Sequence, residues 1–241
     1  MGIVQEKEGV DVTMFYETAK NNHGLEYSPF KSLVVPRAIG WLSTLSPEGN
    51  VNLAPFSQWT MLNFDPPHVM ISAGAHPDKN RLKDTVWNIE QTGEFVFNMA
   101  TYDLREEVNV SSNFVGPEVD EMAMAGLTPA PAQMVKPPRV AESPVHMECR
   151  WFTTLTIPAD NPGHNSNLVI GKVVGIHIDD NFLTDEGKVD VLKIRPLARM
   201  GYYDYTSVES IFTMPPLDEG EMAKRRRVGL VGEAGGKEGS D

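Results

Sequence analysis

The chain reads as a mainly β single domain closed into a barrel, with few and short helices. Three observations predict this. Runs rich in Val, Ile, Thr, Phe and Trp recur along most of the chain, as strands require. Gly, Pro, Asn and Asp separate them at short intervals. Segments with helical character are few and brief.

The elements follow in order. Residues 1–30 are polar and mixed, and read as an arm or short helix leading to the core. Residues 33–46 read as a strand, and Ser46-Pro47-Glu48-Gly49 has type I turn chemistry, with Pro second and Gly fourth. Residues 51–57 form the return strand. Pro55 has no N–H for a ladder, so this strand must lie at an edge or break its pairing there. A third strand is expected at 68–73. Asp84 to Gln91 reads as a helix with Val86, Trp87 and Ile89 on its apolar side, and Gly93 is placed to end it. A strand at 94–99 follows, then short helices at 103–110 and 119–125. A connection carrying Pro129, Pro131, Pro137 and Pro138 leads to long strands near 145–157 and 167–179, joined through Asp160-Asn161-Pro162-Gly163. Residues 189–192 and 197–200 read as a last strand pair. The domain is therefore placed at 31–215, and residues 216–241, with Lys224-Arg225-Arg226-Arg227 and a Gly-rich end, as a mobile charged tail.

Bulk properties exclude several functions. A chain of 241 residues can bury a full core without disulfide staples. A formal net charge of −12 disfavours general nucleic-acid binding and docking on anionic membrane. Cys149 is the single cysteine, so no intramolecular disulfide forms, which fits a reducing cytosol. The first residues lack an apolar run of signal-peptide length, and no run is long enough to span a bilayer. The expected location is cytoplasmic.

Two segments carry candidate chemistry. Asp78-Lys79-Asn80-Arg81-Leu82-Lys83-Asp84-Thr85 brings cations to a helix start, where free N–H groups and the helix dipole favour a phosphate. Asn52-Leu53-Ala54-Pro55-Phe56-Ser57 offers small residues that let a planar ligand approach the backbone, with Asn52 and Ser57 able to hydrogen-bond ring heteroatoms. Taken alone, the plainer explanation of each has the greater weight: a solvated helix start capped by Asp84, and an edge strand with a bulge. A flat ring and a phosphate together point to a flavin mononucleotide. The six histidines are dispersed and complete no zinc set, and Cys149 reads as a small buried hydrophobe. Neither a Gly-x-Ser-x-Gly elbow nor a Gly-x-Gly-x-x-Gly fingerprint occurs.

In this order, the segments resemble the flavin reductase-like family, with its FMN-binding split-barrel fold and its flavoredoxin and flavoprotein-oxygenase-like members. The resemblance covers about residues 30–205. It runs through Pro36-Arg37 with Trp41-x-Ser-Thr44, Gly49 to Ser57, Asp65-Pro66-Pro67, Lys83-Asp84-Thr85 and Glu94 to Asn98. It continues through Asn109 with Ser111-Ser112, Ala125-Gly126-Leu127, Glu142 to Val145 with Glu148-Cys149, Ile170-Gly171, and Arg199-x-Gly201 with Tyr205. The resemblance implies a homodimer with FMN in a groove at the subunit interface. Trp41, Ser43 and Thr44, with Asn52, Leu53, Ala54, Pro55, Phe56 and Ser57, would line the isoalloxazine and ribityl chain. Ser72, Lys83, Asp84 and Thr85 would lie near the phosphate, with Ser111, Ser112 and Arg199 as further contacts. NADH or NADPH would reduce the flavin, and electrons would pass to oxygen or a partner monooxygenase, with neither a protein acid–base pair nor a metal needed. The alternatives are an FMN electron carrier without its own nicotinamide site, and a barrel that has lost flavin and serves as a binding module. The chain departs from the family pattern at Leu82, where a basic residue is usual, at Gln58-Trp59, and at Tyr202, where a second glycine is usual.

Overall fold

In a computed structural model of the chain, residues 13–76, 81–161, 163–216, 218 and 220 are described. Asp78, Lys79 and Asn80 of the cationic segment, Pro162, the start of the arm and nearly all of the expected tail lie outside them. The chain divides into two compact units, Met1–Val208 and Glu209–Asp241, and the candidate site belongs to the first.

A seven-stranded antiparallel sheet dominates this unit. Its strands are β2 (Gly40–Leu45), β3 (Val51–Phe56), β4 (Trp59–Phe64), β5 (Pro67–Ala73), β6 (Glu94–Met99), β9 (Val145–Ile157) and β10 (Ser166–Ile178). They lie in the order β3-β2-β6-β9-β10-β5-β4. The two edge strands, β3 and β4, are consecutive in the chain, with Ser57 and Gln58 alone between them. Phe56 and Trp59 are three peptide units apart, a reach of at most about 11 Å. The far ends of the sheet must therefore meet, and the sheet curls into a barrel that opens at this seam.

A smaller three-stranded sheet joins β1 (Arg37–Ala38), β11 (Leu197–Gly201) and β12 (Asp204–Ser207) in the order β1-β11-β12. The short pair β7 (Pro129–Ala130) and β8 (Arg139–Val140) crosses the proline-rich connection. The helices are α1 (Asp84–Thr92), α2 (Arg105–Val110), α3 (Glu121–Met124) and α4 (Val191–Ile194). Gly93 ends α1 in the left-handed conformation, with φ 75°.

Two apolar clusters hold the elements together. Leu42, Phe56, Ile71, Phe95, Phe97 and Cys149 pack with Val86 and Ile89 of α1 in one. Trp59 joins them, its ring stacked on Phe97 at 4.5 Å. The other gathers Ile39, Trp41, Leu53, Val108 of α2, Met122 of α3, Val140 and Leu197. Neighbours along β2 thus feed different clusters, and both faces of that strand are covered. Cys149 is fully buried, and burial pushes its thiol pKa up, as for an inert core residue.

A buried carboxylate ties down the proline-rich connection. Glu148 on β9 is inaccessible to solvent and accepts from the amides of Gln133 at 2.8 Å, Met134 at 2.5 Å and Val135 at 3.1 Å. His177 Nε2 on β10 lies 2.5 Å from it. Burial alone would raise this carboxyl, but His177 and the amides outweigh it and hold the pKa below the ordinary value. Buried His146 is held neutral, its pKa pushed down to about 4 by desolvation, and its Nε2 lies 2.8 Å from the Val140 carbonyl oxygen, so that nitrogen donates.

The structure departs from the sequence reading in four places. The single strand expected at 33–46 is two, β1 and β2, which belong to different sheets, and residues 33–36 precede both. Residues 59–64 form a strand where none was expected, because β4 is an edge strand with five of its six side chains exposed and so shows no inward–outward alternation. Residues 191–194 are helical. Asp190 caps them by accepting from the Lys193 amide at 2.9 Å, and that cap outweighs the strand preference of Val191. β11 pairs with β1 on one side and, on the other, with β12, which lies beyond the expected last strand.

Candidate functional site

One cleft gathers three separated parts of the chain. Its wall includes Asn52, Ala54, Pro55 and Phe56 of β3, Lys83, Asp84 and Thr85 at the start of α1, and Ser111 and Ser112 after α2. His76, Asn113, Phe114, Val115 and Glu121 complete it.

Its polar floor is built from strand and helix together. Thr44 Oγ1 on β2 accepts from Asn52 Nδ2 at 3.2 Å and from Asn88 Nδ2 at 3.1 Å. Asn52 Nδ2 also donates to Thr85 Oγ1 at 3.0 Å. All four side chains are buried, so β2, β3 and α1 are locked in register by hydroxyl and amide groups that satisfy one another. Because the Thr85 oxygen already accepts from Asn52, its hydroxyl hydrogen is oriented to donate elsewhere.

The helix start is open. Lys83 occupies the N-cap position of α1 with no side-chain cap bond, so the first N–H groups of the helix lack a side-chain acceptor. Asp84 stands at the first helical position and pairs with Arg81 instead of capping. The Lys83 ammonium lies 5.1 Å from the Phe114 ring centre and 5.8 Å from that of Phe56. Burial pushes its pKa down. Among the described residues no carboxylate is ion-paired with it. A desolvated cation beside uncapped amides is a place where an arriving dianion restores lost solvation.

Glu121 closes the opposite wall. Its Oε2 accepts from the Leu53 amide at 3.0 Å, and burial, then the nearby Asp84 and Asp120, raise its pKa. The carboxylate thus occupies an edge donor of β3 that has no strand beside it.

The structure brings nine of the sequence-derived site residues to this cleft: Asn52, Ala54, Pro55, Phe56, Lys83, Asp84, Thr85, Ser111 and Ser112. Four others lie beneath or behind it. Trp41 and Leu53 are wholly buried in the second apolar cluster, and Trp41 Nε1 donates to Ser111 Oγ at 2.9 Å. Ser43 donates to the Pro138 carbonyl at 2.5 Å, and Thr44 is the buried anchor of the Asn52 network. Ser57 stands in the β3–β4 corner, and Ser72 lies on β5 opposite Leu168 of β10. Arg199 on β11 bonds the Tyr205 hydroxyl and the Tyr202 carbonyl. Neither these three nor Tyr202, whose ring packs on Tyr27 at 5.5 Å, lines the cleft. Sequence reasoning missed Phe114 and Glu121. Phe114 carried no signal, whereas Glu121, next to the N-cap residue Asp120, looked like an ordinary acidic helix start.

A family model for the flavin reductase like domain matches residues 32–204. The chain belongs to this family. An uncharacterized protein of Aquifex aeolicus (strain VF5) is 38% identical over 179 residues, 73% of this chain and 88% of that one. Among solved structures, nitrilotriacetate monooxygenase component B from Bacillus cereus superposes with a TM-score of 0.78 at 21% identity, covering 85% of this chain and all of that one. Flavoredoxin of Desulfovibrio vulgaris (Miyazaki F) superposes with a TM-score of 0.64 at 19% identity, over 78% of this chain and 94% of its own. The flavin reductase-like fold is thus shown, and it is the split barrel that the closure of β3 toward β4 requires. No helix among the described residues is long and apolar enough to cross a membrane.

Proposed function

We propose that this flavin reductase-like chain is an FMN-dependent oxidoreductase that takes hydride from NADH or NADPH and passes electrons to oxygen or a partner monooxygenase. The observation that carries the reading is the convergence of Lys83, the uncapped start of α1 and the Thr85 hydroxyl on a cleft bordered by an edge strand. The residues present fit the cofactor, since the desolvated lysine and free amides ask for a dianion and the strand edge leaves a flat face beside them.

When bound, FMN supplies the ring that accepts hydride and releases electrons. The chain's own work is to bind and orient. Lys83 and the first amides of α1 hold the phosphate, and Thr85 donates its hydroxyl. Asn52, fixed by Thr44 and Thr85, keeps β3 at a constant distance from the helix start. Ala54 and Pro55 present little bulk, so a planar group can approach the strand. Ser111 and Ser112 stand where the ribityl chain would pass. Ser57, Ser72 and Arg199 belong to the same assignment as contacts made across the seam or from a second subunit.

The functional unit in this reading is a homodimer. Support comes from apolar side chains left exposed on the barrel: Met61 and Phe64 of β4, and Phe152, Leu155 and Ile157 of β9. A partner monooxygenase is consistent with the likeness to a monooxygenase component B. Cytoplasmic residence accords with the single, buried, unpaired cysteine.

The test is a visible spectrum of the purified protein, followed anaerobically as NADH and then NADPH are added. Rapid bleaching of a yellow protein is the expected outcome, and the faster donor names the cofactor. A yellow protein that bleaches only with dithionite would replace the reductase with an electron carrier. A colourless protein that fails to take up FMN would overturn both.

A further inference from the structure

A second cavity, of about 310 Å³, opens beside α2 and shares no lining residue with the flavin cleft. That volume lies at the lower end of the range for small-molecule sites and suits one or two fused rings. α2 supplies Arg105 and Asn109 to the wall, and the β11–β12 hairpin supplies Tyr203, Tyr205 and Thr206. Tyr102 closes the side before the helix, over an apolar floor of the buried Val108 and Leu197.

The charges here run against those of the whole chain. Its net charge is −12, yet one guanidinium, Arg105, lines this cavity beside the Glu106 carboxylate, and two more, Arg195 and Arg199, lie against its tyrosine rings. Arg105 lies over the Tyr102 ring at 4.4 Å and Arg195 over the same ring at 4.0 Å. Arg199 lies over Tyr205 at 4.5 Å and bonds its hydroxyl. The nearby carboxylates, Glu106 and Asp103, have side chains 74% and 77% exposed and pair with Arg105 at 3.5 Å and Arg195 at 3.7 Å, so water screens both pairs. Arg105 Nη1 donates to the Tyr102 carbonyl at 2.9 Å and its Nε faces Glu106, which leaves Nη2 to meet a ligand.

A guanidinium over a tyrosine ring draws on its electron density and makes the aromatic wall a better surface for an electron-rich, negatively charged ring. A neutral hydrocarbon would offer no acceptor to Nη2 of Arg105. An inorganic anion would gain nothing from the tyrosines or the apolar floor. We infer that this cavity is a second binding site, for a planar aromatic carboxylate, with the ring between the tyrosines and the carboxylate on Arg105. The inference goes beyond the flavin assignment and does not depend on it.

The experiment uses the full chain as purified. Benzoate and 4-hydroxybenzoate are titrated by calorimetry and by saturation-transfer NMR, beside cyclohexanecarboxylate and phenol. Both aromatic acids are expected to bind and both controls to bind at least about fivefold more weakly, since each lacks either the plane or the charge. Arg105→Gln should weaken the aromatic acids about tenfold, Arg105→Lys should restore part of that loss, and Tyr205→Leu should weaken the ring contribution. FMN retention should be unchanged in Arg105→Gln and Arg105→Lys. Absence of binding at 10 mM, on the order of the weakest useful affinities, would overturn the inference. Equal binding by wild type, Arg105→Gln and Tyr205→Leu would overturn it too. Competition between benzoate and added FMN would place the acid in the flavin cleft, sinking this site while leaving the flavin reading intact.

Discussion

Lys83 concentrates the argument at the scale of one residue. Desolvation depresses its pKa, so the folded chain without an anion holds this proton less tightly than the unfolded chain does. Below that lowered pKa the charge works against folding, and the penalty disappears as pH rises through it toward the unfolded value. Lys83→Met is therefore expected to leave the melting temperature of flavin-free protein unchanged or raised. The same variant should bind FMN about 10- to 100-fold more weakly, the value of one charge-assisted contact. Riboflavin, which lacks the phosphate, should bind both proteins alike. Equal loss of FMN and riboflavin would show that Lys83 supports the cleft without touching a phosphate. At this scale the cleft was half legible. Lys83 and Thr85 announced themselves by standing at a helix start, and Asn52 by its place among small residues. Whether Trp41, Ser43 and Thr44 faced the cleft or the interior was hidden, because both faces of β2 are covered and alternation then carries no direction.

At the scale of the element, β10 shows how one position fixes a strand. The β9–β10 ladder shifts register between Ile170 and Gly171. A Cβ built on Gly171 would lie 2.3 Å from Cζ of Phe95, which is itself buried in the apolar cluster of β6. Gly171→Ala is expected to cost about 1–3 kcal/mol, read as a lower urea midpoint with the slope unchanged. An unaltered midpoint would mean that Phe95 has room to turn. Ile170-Gly171 was visible in the sequence as a family motif, but the ring it accommodates lies on another strand and no local pattern reveals it. The same limit explains β4 and α4. An exposed edge strand has no apolar face to declare, and a four-residue helix rests on its cap at Asp190 more than on its composition.

The barrel as a whole was legible because its evidence is redundant: many β-rich runs, punctuated by turn residues, with one substantial helix. Its closure was not, since the pairing order β3-β2-β6-β9-β10-β5-β4 is a long-range property. Closure leaves Met61 and Phe64 on β4, and Phe152 and Ile157 on β9, facing outward. Sedimentation velocity is expected to give a dimer at micromolar concentration, and Phe152→Glu should shift it toward monomer and weaken FMN retention together. A wild-type monomer that retains FMN would show that one subunit completes the cleft.

The margin of β3 that has no strand beside it has a further consequence. A bare strand edge is a template on which another chain can grow. Here Pro55 has no hydrogen to offer, and the Leu53 amide is already engaged by the Glu121 carboxylate. A second polypeptide meets an interrupted ladder along this margin, whereas a small flat molecule has no ladder to complete. The seam of the barrel thereby resists fibre-like self-association without needing a neighbouring chain to cover it.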